Sequence, residues 1–185
     1  MHVQVPTRRF TVEEYQRMVE AGILREDDRV ELVDGRIVEM TPIGERHAAC
    51  VRRLTNLLAE RARGRAIVDV QDPVYLDRWS LPQPDVTLLR PRADFYTAHP
   101  RPEDLLLVIE VADTSLRYDR DEKLPRYAAA GIPEAWLVDL AGDRIDVHRE
   151  PGPDGYSRVQ IVARDAELEV AALPGVTLRA DEILG

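Results

Sequence analysis

Apolar and polar positions alternate along this chain with two distinct periods, and the changes of period divide it into elements. Thr11-Val12-Glu13-Glu14 has the form of a capping box, which predicts a short helix that stops at Gly22. Residues 29–33 and 36–40 flank Asp34-Gly35, the strongest short signal for a hairpin. In that register Glu31 lies opposite Val38. Over 45–62 the apolar residues Cys50, Val51, Leu54, Leu57 and Leu58 fall on one helical stripe, and His47 enters the same buried face from the first turn.

Strands are predicted at 66–70, 73–77 and 85–90. Residues 105–112, LLLVIEVA, form a continuous apolar run broken only by Glu110, the pattern of a central strand covered on both faces. A polar segment, 113–122, leads into a helix ending at Gly131. Further strands follow at 134–139, around Ile145 and Val147, and at 156–163 beyond the turn 151–155, with a short helix at the end. The mixed order predicts an α/β (α+β) fold, a mixed sheet flanked by helices. The absence of repeats and long linkers makes 1–185 a single domain in this reading.

Composition changes the picture at three points. Apolar residues at 44% and charged residues at 32% are those of a globular chain, and no apolar run reaches the roughly 20 residues that span a bilayer. The N-terminal segment lacks the apolar centre of a signal peptide. Cys50 stands alone, which excludes an intrachain disulfide and a four-thiolate zinc site. These features together predict a cytoplasmic protein with no membrane partner. The net charge of −9 counts against a nucleic-acid partner unless a local basic patch or bound cations offset it. Most pointedly, the 25 cationic residues are 24 arginines and one lysine, Lys123. Lysine offers a compact ammonium that arginine does not.

Three residues carry candidate chemistry. An ionised Glu110 in a two-sided buried strand costs several kcal/mol, roughly, unless a cation or enough donors meet it. Asp85 follows Pro84, which cannot donate to a ladder, and so sits at a strand's mouth. Lys123 lies four residues after Asp119 and shares its helix face if the helix is regular there. Pro125 instead allows a helix beginning near Asp121, with Lys123 in its first turn. Two carboxylates on neighbouring strands can hold a hard cation such as Mg²⁺, and a nearby ammonium can steady charge developing on a phosphate. No Gly-rich phosphate loop and no HExxH zinc motif is present.

The order Pro84-Asp85, then Glu110-Val111, resembles the PD-(D/E)XK restriction-endonuclease-like superfamily. The position two after the second acid, where that motif usually carries lysine, is Ala112, and Lys123 fits a variant with the lysine on the following helix. More closely the chain resembles a bacterial Uma-type family of small endonuclease-like proteins catalogued as a domain of unknown function. The matching stretches are Glu31-Leu32-Val33-Asp34-Gly35, His47, Gln83-Pro84-Asp85-Val86 and Val108-Ile109-Glu110-Val111. They continue through Asp119, Lys123, Tyr127, Gly131 and Glu134-Ala135-Trp136-Leu137-Val138-Asp139.

The resemblance implies a restriction-endonuclease-like core, here with an N-terminal helix-hairpin and additional C-terminal strands. It implies Asp85 and Glu110 as ligands of Mg²⁺ or Mn²⁺, and Lys123 as the catalytic lysine. Glu31, His47 and Asp119 are supporting candidates; Glu31 either approaches the metal or pairs with Arg36. The expected activity is hydrolysis of DNA phosphodiesters, and by analogy two copies pair as a homodimer. Two alternatives stay open: a nuclease fold kept as a binding or assembly module, which the acidic charge favours, and hydrolysis of a small phosphate ester.

Overall fold

The computed structural model describes residues 7–25 and 27–185; the leader reading above begins in residues 1–6, outside this range. Thr11 caps helix α1 (Val12–Glu20) with the predicted box. Its hydroxyl accepts the Glu14 N–H at 3.2 Å, and the Glu14 carboxylate accepts the Thr11 N–H at 3.0 Å. Strands β1 (Val30–Val33) and β2 (Arg36–Glu39) form the expected hairpin, with Glu31 opposite Val38. Its turn places Asp34 at φ 52° and Gly35 at φ 72°, the left-handed pair that an Asp-Gly turn supplies. Gly35 is needed twice over, since a Cβ there would lie 2.6 Å from the Cβ of Arg9.

Helix α2 (Glu45–Arg61) buries Cys50, Val51, Leu54 and Leu58 as the stripe predicted. Strands β3 (Ile67–Val70) and β4 (Val86–Leu89) pair antiparallel. The expected strand at 73–77 does not form. Val74 donates to the carbonyl of Pro82, Tyr75 to that of Pro100 and Leu76 to that of Ser80. Pro73 offers no donor, and successive amides find partners in different segments, so no ladder can propagate.

Strand β5 (Leu105–Ala112) is buried at every position. The next segment is continuously helical but not regular. A short α3 (Leu116–Tyr118) passes into a π turn, Asp119–Lys123, and then into α4 (Leu124–Ala129). Neither arrangement expected for Lys123 is therefore the one found. The cause is Pro125, whose ring crowds the carbonyl four residues back. The widened turn relieves it, and the Leu124 N–H reaches the Asp119 carbonyl instead.

Strands β6 (Glu134–Asp139), β7 (Arg144–Gly152) and β8 (Gly155–Ala163) complete a six-stranded mixed sheet in the order β3-β4-β5-β6-β7-β8. Only β5 and β6 run parallel, and the helical segment makes the crossover between them. A small pair, β9 (Glu167–Glu169) and β10 (Thr177–Arg179), and α5 (Ala180–Leu184) close the chain. Helix α2 packs on one face of the sheet against Leu107, Ile109, Val111 and Trp136. On the other face α4 sets Leu124 and Tyr127 against Val108, Ala112, Ala135 and Leu137. No helix among the described residues is long and apolar enough to cross a membrane.

On β3, burial and the neighbouring Asp72 carboxyl push Asp69 from its ordinary 3.8 up to about 6. A carboxyl raised in the native state contributes stability that is complete below about pH 4 and is lost as pH rises through 6. Asp69→Asn should therefore stabilise the protein at pH 7–8 by about 1 kcal/mol, after discounting for its partial exposure. That corresponds to about 2–4 °C in Tm, with the gain vanishing near pH 4. Thermal melts of both proteins from pH 4 to 8 check it; a pH-independent difference would contradict the assignment.

Candidate metal centre

Side chains alternate along β5, so Glu110 shares the α4-facing side with Val108 and Ala112, in reach of the π turn and α4. Its Oε1 accepts the Tyr127 hydroxyl at 2.6 Å and lies 2.8 Å from Lys123 Nζ. Lys123 Nζ also meets Glu31 Oε2 at 3.4 Å and the Gln83 carbonyl at 3.3 Å. Three elements thus converge on one ammonium, which is 4% exposed, with Glu110 at 2% and Glu31 at 3%.

Asp85 precedes Val86, which pairs with Ile109, so it stands beside Glu110 at the open end of the ladder. Its Oδ2 accepts the Val111 N–H at 2.8 Å, and its Oδ1 lies 2.9 Å from Nε2 of His47, in the first turn of α2. Asp119 completes the cluster from the π turn, accepting the Ser115 hydroxyl.

Charge is unevenly matched here. Burial lifts Glu110 well above the ordinary carboxylate range, with Lys123 opposing. Burial likewise pushes Asp119 up to about 6 against the pull of Lys123. At Asp85 burial is outweighed, and the hydrogen bond from His47 with the Val111 amide holds the carboxylate low. That same bond to Asp85 raises His47. For Lys123, burial works against the charge, but Glu110 and Glu31 overcome it and hold the ammonium protonated.

All six residues expected from the sequence line one cavity of about 500 Å³: Glu31, His47, Asp85, Glu110, Asp119 and Lys123. The pairing of the cluster's charges is specific. Glu31 does not pair with Arg36, which reaches across to Glu122 at 2.8 Å instead. Arg36 sits exposed at the turn end of the hairpin, nearer Glu122, whereas Glu31 is buried against Lys123. Lys123 takes Glu110 and Glu31 as its partners.

Three contributors were not assigned roles from the sequence. Gln83 donates its N–H to Glu31 at 2.8 Å and offers its carbonyl to Lys123. Tyr127 orients Glu110, and its four-residue spacing from Lys123 was a usable signal. Tyr118 lines the cavity with a buried hydroxyl that has no partner among the described residues.

The donor set fits a hard divalent cation. Glu31, Asp85, Glu110 and Asp119 share the cavity with Lys123, His47 and Arg29, and burial, reinforced by the neighbouring carboxylates, raises Glu110 and Asp119. Among the described residues no three His, Cys, Asp or Glu side chains stand together in metal-ligand geometry. A two-carboxylate site filled out by waters is nevertheless the ordinary arrangement for Mg²⁺.

Comparison with known proteins agrees with this architecture. The model of the Uma2 family, described as "Putative restriction endonuclease", matches residues 12–181. The fold is similar to that of a putative nuclease belonging to DUF820 from Anabaena variabilis ATCC 29413, with a TM-score of 0.75. The two are 13% identical, and the likeness covers 95% of this chain and 97% of the other. No functionally curated protein matches the chain.

Proposed function

We propose that this chain, which belongs to the Uma2 family, is a divalent-metal-dependent endonuclease that hydrolyses DNA phosphodiester bonds. The observation that carries the reading is the convergence of Asp85, Glu110 and the chain's one lysine on the floor of a single cavity. Asp85 and Glu110 are the residues that would hold Mg²⁺ or Mn²⁺. When bound, such an ion polarises a phosphoryl oxygen and lowers the pKa of a coordinated water.

The protein's own groups divide the remaining work. His47 and the Val111 amide fix the Asp85 carboxylate in rotation, and Tyr127 does the same for Glu110. Glu110, Glu31 and the Gln83 carbonyl surround Lys123 Nζ at 2.8, 3.4 and 3.3 Å and fix its charge on the floor of the cavity. There the positive charge steadies the phosphoryl oxygens as negative charge builds in the transition state. Water attacks phosphorus and gives up a proton to solvent, the P–O bond to one sugar oxygen breaks, and that oxygen takes up a proton from solvent water, leaving a phosphomonoester and an alcohol.

Titration calorimetry tests the premise of the site. Mn²⁺ is expected to bind the wild type at one site, and the Asp85→Asn, Glu110→Gln double mutant is expected to show no heat. The second reading, a binding or assembly module on the same fold, is favoured by the net charge of −9. It gains ground if the wild type binds no Mn²⁺ even with DNA present.

A further inference from the structure

We propose that this site receives one unpaired nucleotide of a single strand, and that intact duplex is excluded from it. The inference rests on the phosphodiesterase reading above. Its first support is depth: Glu31, Glu110, Asp119 and Lys123 are each 2–5% exposed, so the reacting groups lie at the bottom of the cavity and not on a rim. A duplex is a stiff rod that cannot bend a single phosphate down to such depth, whereas a flexible single strand can. The cavity, about 500 Å³, falls within the range that encloses a ligand the size of a mononucleotide.

The second support is charge. Six carboxylates line the cavity (Glu31, Glu39, Asp85, Glu110, Asp113 and Asp119) against Arg29, Lys123 and His47, the last engaged with Asp85. Duplex binding draws on several phosphate contacts made by basic side chains. This lining supplies cations for one or two phosphates only.

The third support is the wall opposite the polar floor. Val38 near the end of β2, with Met40, Pro42 and Ile43 on the segment joining β2 to α2, supply its apolar lining, interleaved with Glu39 and Thr41, and Ile43 is 41% exposed. An unstacked base presents an apolar face that such a wall can cover, while its phosphate faces the Lys123 ammonium. A base still paired in a duplex has no free face to offer.

The test measures binding and cutting separately on the full chain. Fluorescence anisotropy with a labelled 20-nucleotide single strand, the same sequence as a blunt duplex, and a duplex with a central single-stranded gap is read in Ca²⁺, and cutting is read in Mn²⁺. The single strand and the gap should be bound and cut at least about tenfold better than the duplex. Ile43→Ser alters an exposed side chain and should raise KM for the single strand about fivefold. Equal binding and cutting of the blunt duplex would overturn this inference alone. Unchanged single-strand KM in both Ile43→Ser and Met40→Ser would overturn the placement of the base. Failure of every substrate to bind or be cut would overturn the inference together with the nuclease reading beneath it.

Discussion

Lys123→Ala is expected to abolish DNA cutting and to lower the unfolding free energy by about 3–5 kcal/mol. Both effects come from one geometry. Nζ lies 2.8 Å from Glu110 and 3.4 Å from Glu31, and all three groups are almost wholly buried. Truncation leaves two carboxylates in a dry site without their shared cation, which is costlier than the intact pair is stabilising. Because an unstable protein also fails to cut, two further variants separate the effects. Lys123→Met with Glu110→Gln removes both charges at similar volume, and should recover most of the stability while remaining inactive. Lys123→Arg keeps the charge but replaces a compact ammonium with a broad planar fork, and should retain part of the stability with little cutting. Urea unfolding and an oligonucleotide assay in Mn²⁺ read the two properties independently. Cutting by Lys123→Ala at the wild-type rate would end the assignment of this lysine.

Much of this cluster was legible in the sequence because its members violate local rules. Glu110 interrupts an apolar run that must be buried on both faces, and Lys123 is a lysine in a chain that otherwise uses arginine. Such exceptions need partners, and the sheet supplies them. The hairpin and the long helix were also readable, since an Asp-Gly turn and a 3.6-residue stripe are local signals that tertiary contacts merely confirm.

What escaped depends on distant chain. Whether 73–77 forms a strand is decided by Pro82, Pro100 and Ser80, which capture its amides one by one. The π turn answers a clash at Pro125 that the sequence flags without fixing its resolution. Gln83 acts through its main chain on Glu31 and Lys123, and backbone groups carry no sequence signature. Arg36 looked like a natural partner for Glu31 in the hairpin, but the two occupy different environments once the cavity closes.

Glu134 is the clearest case of a residue whose weight the sequence conceals, and its replacement should be the most damaging outside the cavity. At the start of β6 it reads as an ordinary strand-edge acid, yet it is fully buried. Its Oε1 accepts the Trp136 indole N–H at 2.9 Å and both Nε and Nη2 of Arg149, at 3.0 and 2.7 Å. Its Oε2 accepts the Ala171 N–H at 2.8 Å, in the connection between β9 and β10. One carboxylate therefore ties the centre of the sheet, β7 and the C-terminal strands together. Glu134→Ala leaves the buried Trp136 indole without its acceptor and strips Arg149, which keeps the Glu169 carbonyl, and the Ala171 amide of their carboxylate. The expected loss is about 3–5 kcal/mol, or roughly 10 °C in Tm for a chain of this size. Glu134→Gln keeps one carbonyl acceptor but loses the charge and turns a donor towards the remaining partners, so it should recover only part of that loss. Hydrogen exchange locates the effect: the Ala171 amide should lose its protection in both variants, while the Val111 amide, bonded to Asp85 at the far end of the neighbouring strand, should follow global stability alone. A Glu134→Ala protein with an unchanged urea midpoint would mean that Arg149 and Trp136 find other acceptors, and that Leu168, Val170 and Leu178 hold the C-terminal strands to the core without this clasp.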